Sequence, residues 1–183
     1  MMLTRSTYRA ADLELRGDGR PVVGLAVPFE QPTEIRTGPG APFTEMFKRG
    51  AFARTLAERG ASKIKLLASH NAQALPLGRL TVAREDRAGL YIEGRVSATQ
   101  AGDEVLALIA DGALDSFSVG FNVAEKGDRW VGNVREIIEA RLAEVSIVAW
   151  PAYEGAAISG LRSADKYNPR LDPELLIRQL TLL

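Results

Sequence analysis

Cysteine is absent from this 183-residue chain, and histidine occurs once. The first absence excludes a disulfide framework, a thiol nucleophile and a thiolate zinc site. The second leaves too few imidazoles for a histidine-based zinc site and assigns any imidazole chemistry near neutral pH to His70. Neither sign of charge is in excess, since Lys+Arg and Asp+Glu both number 23. No basic surplus therefore points to nucleic acid. No apolar run is long enough to span a bilayer, and Met1 to Arg20 lacks the apolar heart of a secretory signal. These absences lead to the expectation of a cytosolic protein, which a cysteine-free chain suits. Glycine-rich phosphate loops, metal-ligand clusters, internal repeats and low-complexity tracts are also missing. What is present is ordinary for a globular protein, 46% hydrophobic and 25% charged. The length suits one domain with short appendages.

Periodicity divides the chain. Residues 1–20 read as an N-terminal extension, residues 21–160 as the main domain, and residues 161–183 as a tail. Val22 to Val27 reads as a buried strand ended by Pro28, and the Pro-, Gly- and Thr-rich stretch from Glu30 to Pro42 as a loop. Phe43 to Gly60 is expected to be helical in two pieces, the first capped by Thr44 and the two separated by Gly50. Ile64 to Ala68 is a short strand. Gly78 to Glu85 and Leu90 to Val96 flank Asp86-Arg87-Ala88-Gly89 as a hairpin. Thr99 caps a helix over residues 100–110 that Asp111-Gly112 ends. Val134 to Ala149 reads as one long strand. In the tail, Asp172-Pro173 starts a possible helix with Leu175, Leu176, Leu180 and Leu183 on one stripe. Six or more strands against two or three helices predict a β-rich α+β fold, a single closed or partly open β-barrel with peripheral helices.

One segment carries the chemistry. In Ser116 to Val123, Phe117, Val119, Phe121 and Val123 alternate with Ser116, Ser118, Gly120 and Asn122, the period of a half-buried strand. Gly120 beside Ser118 is expected to leave room for another backbone to approach. His70 follows a strand end, and Glu144 alternates with Ala143, Val145 and Ile147, sharing its face with Ser146. A hydroxyl, an imidazole and a carboxylate are what hydroxyl-based nucleophilic catalysis requires. Each also has a plain structural reading. Alternation treats Ser116 and Ser118 alike and leaves the choice between them open.

Four segments together resemble the tailed-phage prohead proteases, the capsid maturation proteases whose fold is similar to that of herpesvirus assemblin. Gly50-Ala51-Phe52 resembles their early "GAF" element. Leu66 to Asn71, with Leu75-Pro76-Leu77-Gly78-Arg79, is similar to their histidine segment and its "PxG" turn. Ser118-Val119-Gly120-Phe121 matches "S-x-G-F", and Glu144 to Val148 with Pro151-Ala152 matches "EVS-x-V…PA". The resemblance covers residues 22–158. It implies Ser118 as nucleophile, His70 as general base and acid, and Glu144 as the group that orients the imidazole. Asn71 departs from the pattern, since an acid often follows the histidine in the family.

The resemblance further implies a serine endopeptidase that needs no metal or organic cofactor. It would act in the cytoplasm of a bacterial host, inside immature capsids. Its substrates would be the scaffold or the scaffold-like segment of the major capsid protein, and itself. A homodimer or higher oligomer is compatible with this picture; nucleic acid and membrane partners are not expected. The alternative is a non-catalytic capsid assembly or scaffolding module on the same fold.

Overall fold

The computed structural model describes residues 14–15, 20–35 and 42–151. The expected tail helix, the rest of the tail and most of the N-terminal extension lie outside the described residues. The strands within them form two sheets. The first contains β1 (Glu14–Leu15), β2 (Pro21–Pro28), β5 (Lys65–Ala68), β6 (Gly78–Glu85), β7 (Gly89–Val96), β8 (Ser116–Val123) and β11 (Ala140–Val148). Its strand order is β1-β2-β7-β6-β5-β11-β8. It curls into a half-barrel, so that β2 comes near β8 without pairing to it. The second contains β3 (Thr33–Ile35), β4 (Phe43–Phe47), β9 (Asp128–Val131) and β10 (Val134–Ile137), in the order β3-β4-β10-β9. The β-rich architecture with few helices agrees with the sequence, its strands hydrogen-bonded in two sheets.

Several expectations hold. The hairpin is β6–β7, its turn closed by the Asp86 carboxylate, which accepts from the backbone N–H groups of Ala88 (2.8 Å) and Gly89 (3.2 Å). Helix α2 (Gln100–Asp111) begins at Thr99, whose hydroxyl accepts from the Gly102 N–H, and ends at Gly112 in the left-handed conformation. Val105 and Ile109 turn its buried face to the core. No helix among the described residues is long and apolar enough to cross a membrane.

Three expectations are overturned. Phe43 to Phe47 is strand β4, so Thr44 caps no helix, and only α1 (Ala53–Arg59) is helical in that region. Its strand character comes from parallel pairing with β10, about ninety residues away in sequence. Within the expected loop from Glu30 to Pro42, Thr33–Ile35 is a strand antiparallel to β4. The long run from Val134 is two strands in different sheets. They part at Ile138 and Glu139, whose N–H groups both donate to the Gly127 carbonyl, at 2.7 and 2.9 Å.

The core lies on one face of the large sheet. Val22, Leu66, Leu80, Ile92, Val145 and Ile147 meet Phe47, Phe52, Phe117 and Phe121 there. The rings of Phe47 and Phe52 stack at 5.0 Å, and Phe121 meets Phe47 edge-on at 4.9 Å. The "GAF" triplet is thus structural. Gly50 takes a positive φ of 88°, and Ala51 and Phe52 are buried. Glu85 receives the Phe52 N–H at 2.7 Å; burial raises its carboxyl above the usual range, opposed by the N–H groups of Phe52 and Gly50.

Helix α1 also completes β11. β5 pairs with β11 only from Glu144 to Ile147, which leaves the first turn of ladder groups on that side without a strand. Thr55 replaces one. Its buried hydroxyl donates to the Ala140 carbonyl (3.0 Å) and accepts from the Leu142 N–H (3.3 Å). The Arg59 guanidinium covers the Leu142 carbonyl at 2.7 Å. Thr55→Val keeps the shape and removes both bonds, so it should destabilise the protein by about 1–3 kcal/mol. Urea denaturation of wild type and variant measures this; equal midpoints would mean that α1 does not hold β11.

Candidate active site

The register of β11 assembles the site. β11 runs parallel to β5, with Glu144 opposite Lys65 and Ile147 opposite Ala68, and antiparallel to β8, with Glu144 opposite Gly120 and Ser146 opposite Ser118. Directly opposed residues share a face. Ser118, Gly120, Glu144 and Ser146 therefore share one patch, on the side of the sheet away from Phe117, Val119 and Val145 in the core. The alternation expected for β11 fails at one point. A bulge between Leu142 and Glu144 sets two residues against Gly120, so Ala143 is exposed and does not join Val145 in the core. Without that extra residue, burying both Leu142 and Val145 would not leave Glu144 on the site face.

The strand β5 ends in a tight turn. Asn71 N–H donates to the Ala68 carbonyl at 2.9 Å, and both central residues have positive φ, Ser69 at 46° and His70 at 59°. Two successive left-handed non-glycine residues cost of order 1–3 kcal/mol each. The turn is held against that cost by Ser69 N–H donating to the Ile147 carbonyl (3.0 Å) and by His70 N–H donating to Ser146 Oγ (3.0 Å). Asn71, the departure from the pattern, accepts from the N–H groups of Gln73 and Ala74 and so shapes the following loop.

This turn delivers the imidazole to the carboxylate. His70 Nδ1 lies 2.7 Å from Glu144 Oε1, each side chain only 14% exposed. A carboxylate oxygen accepts, so Nδ1 carries a proton, and in the neutral ring Nε2 is the nitrogen with the free lone pair. The other oxygen, Oε2, accepts from Ser146 Oγ–H at 2.7 Å. Ser146 is fully buried and joins the His70 backbone to the Glu144 carboxylate. Ser146 is a site residue that the sequence motifs leave without a role; its place two residues after Glu144 on the same face is the signal for it.

Gly120 has a different use from the one expected. A β-carbon there would stand 2.3 Å from Glu144 Oε1. The space beside Ser118 is filled by the carboxylate of its own neighbouring strand and is not left for an incoming backbone. Gly78 of the "PxG" turn is explained in the same way, since a β-carbon would stand 2.0 Å from the Arg95 carbonyl oxygen.

The two serines, equivalent by alternation, differ in the structure. Ser116 Oγ–H donates to Asp115 Oδ1 at 2.7 Å. Ser118 Oγ is buried and makes no hydrogen bond, and the buried Nε2 atom of His70 is in the same state. A buried hydroxyl normally finds a partner, so its exception calls for a chemical explanation. Among the described residues, no group of three or more His, Asp or Glu side chains could hold a metal ion.

Comparison with known proteins gives the same direction as the motifs. The prohead protease of Enterobacteria phage HK97 is 32% identical over 133 residues, a match covering 70% of this chain and 58% of that protease. The chain thus spans less than two thirds of that relative's length. Among solved structures, the bacteriophage T4 capsid assembly protease is similar at a TM-score of 0.46 and 12% identity, over 72% of this chain and 98% of that one. The family model described as Caudovirus prohead serine protease matches residues 7–170, nearly the whole chain. That span makes this chain a member of the caudovirus prohead serine protease family.

Proposed function

We propose that this protein is a serine endopeptidase that matures phage or phage-like capsids, with Ser118 as nucleophile, His70 as general base and acid, and Glu144 as the orienting carboxylate. The observation that carries this is the imidazole held through Nδ1 by Glu144 at 2.7 Å, on the patch where Ser118 Oγ is buried without a bond. Ser118 Oγ attacks a peptide carbonyl while Nε2 of His70 takes its proton; the resulting imidazolium then protonates the departing amine. Glu144 holds the ring and stabilises the cation. Ser146 holds Glu144 and the histidine turn. No step in this scheme needs a metal or organic cofactor.

The substrates in this reading are the scaffold or scaffold-like segment of the major capsid protein and the chain itself, cleaved inside the immature capsid in a bacterial host. The protease unit is residues 21–160, flanked by an N-terminal extension and a C-terminal tail. The assemblin-like barrel belongs to the same proposal, supported by a large sheet that curls until β2 nears β8.

The choice of serine is tested by co-producing the full chain with its neighbouring capsid protein and weighing the products by mass spectrometry. Ser118→Ala should abolish cleavage, and Ser116→Ala should keep most of it. The reverse outcome would overturn the assignment, and cleavage unchanged in Ser118→Ala would favour the assembly module.

His70→Ala should be nearly as inactive as Ser118→Ala, and combining them should add little, because members of one catalytic unit are not additive. Glu144→Gln should lower the rate by about 10²–10⁴-fold. An amide NH₂ facing Nδ1 favours the tautomer whose Nε2 carries the proton and cannot accept one. Single-turnover rates compare these variants; full activity in Glu144→Gln would remove Glu144 from the mechanism.

Gly120→Ala acts through the carboxylate. The new methyl would meet Glu144 Oε1, Cδ and Cγ, so the acid must leave its bonds to His70 and Ser146. The expected result is a stability loss of about 1–3 kcal/mol, as for other buried bonds, with activity of the folded variant reduced toward that of Glu144→Gln. Wild-type activity in the folded variant would show that the carboxylate position is not critical.

A further inference from the structure

The cross-strand row through Glu144 continues well beyond the site. Gly120 opposes Glu144, Glu144 opposes Lys65, Lys65 opposes Arg79, Arg79 opposes Arg95, and Arg95 opposes Pro21. Three successive positions on the face that bears Ser118 and Glu144 are therefore cationic. Like charges directly opposite one another destabilise a sheet, and here two such pairs stand in line. Lys65, Arg79 and Arg95, all exposed, line a cavity of about 460 Å³ together with Arg20 and Pro76. Arg20 is tied in place by Asp103 at 2.8 Å and by the Val96 carbonyl at 3.0 Å. The acid nearest the row on β7, Glu93, accepts the Tyr91 hydroxyl. Among the described residues, Lys65 and Arg79 make no ion pair.

We infer that this row holds an acidic segment of the polypeptide substrate at a distance from the bond that is cut. The inference rests on the serine endopeptidase reading and adds the chemistry of its substrate. Charge complementarity selects the occupant, and continuity of the row with Glu144 ties it to the site. With strands about 4.8 Å apart, a chain following the curved sheet surface travels roughly 10, 14 and 19 Å from β8 to reach β5, β6 and β7. An extended chain advances about 3.3 Å per residue, so the acidic residues fall roughly three to six positions from the scissile bond. An acidic segment that neutralises the row removes the like-charge repulsion, and the contact weakens as salt rises.

The test uses the full chain and Lys65→Ala/Arg79→Ala, two exposed positions outside the core. Fluorescein-labelled hexaglutamate, hexalysine and a short single-stranded DNA are titrated by anisotropy at low and high salt. Both proteins also digest a peptide library whose cleavage sites are mapped by mass spectrometry, and a fluorophosphonate probe reads Ser118 separately. Hexaglutamate should bind the wild type in preference to the other two probes. The double variant should bind it about two- to thirtyfold more weakly, as expected for the loss of two exposed ion pairs. Wild-type cleavage sites should be enriched in Asp and Glu at the stated positions, and the variant should lose that enrichment while its fluorophosphonate labelling is unchanged. Equal hexaglutamate binding by the two proteins, unchanged site enrichment, or DNA bound more tightly than hexaglutamate through the same two residues would each overturn the inference. Absence of fluorophosphonate labelling in both proteins would sink the protease reading by itself, and the anisotropy result would still decide whether the row binds acidic peptide.

Discussion

The site depends on the placement of one strand between two others of opposite sense. β11 has β5 parallel on one side and β8 antiparallel on the other, so a single register fixes His70, Glu144 and Ser118 relative to one another. A slip of one residue would turn Glu144 and Ser146 into the core and Val145 toward the site. That slip is opposed from three directions. Val145 and Ile147 are fully buried, the bulge at Ala143 matches only this phase, and Thr55 and Arg59 hold the Ala140–Leu142 backbone where β5 does not reach. The helix most distant from the chemistry in sequence terms is thus part of what aligns it.

Within that frame the site works by mutual occupation. The Glu144 carboxylate fills the volume that Gly120 leaves, and there it meets Nδ1 of His70 with one oxygen and Ser146 with the other. Ser146 in turn receives the backbone N–H of His70, whose left-handed conformation would otherwise be unfavourable. Strain in the turn and bonding in the patch offset each other locally. This explains why the residues joined here are small or rigidly held. A larger residue at 120 moves the acid, and a residue without a hydroxyl at 146 releases both the acid and the turn.

Much of this was legible in the sequence because alternation is a local signal. The serine strand, the hairpin and the α2 helix with its Thr99 cap follow from neighbouring residues alone. What was hidden depends on distant partners. Phe43 to Phe47 has residues compatible with a helix, and only pairing with β10 makes it a strand. The break at Ile138 requires the Gly127 carbonyl, and the bulge at Ala143 requires Gly120 opposite. At the site, the residue types and the motif were visible. Alternation treats Ser116 and Ser118 alike and only the motif favours Ser118; the physical difference, which hydroxyl already has a partner, exists only in the fold.

Net charge illustrates the same separation between composition and arrangement. The chain balances 23 cations against 23 acids, which in the sequence reads as electrostatic neutrality. Folding sorts those charges. In the small sheet they are paired, with buried Glu45 opposite Arg135, Arg135 also on Asp128, and Arg129 on Glu136. On the site face of the large sheet, Lys65, Arg79 and Arg95 are brought together from positions up to thirty residues apart by ladder pairing alone. A sum over the chain cannot distinguish a neutral surface from a neutral molecule with a cationic row. The difference matters because electrostatic attraction acts over about 10 Å at ordinary ionic strength, a range set by the local row and not by the total. The register that places His70, Glu144 and Ser118 together therefore also fixes where the cations stand relative to them.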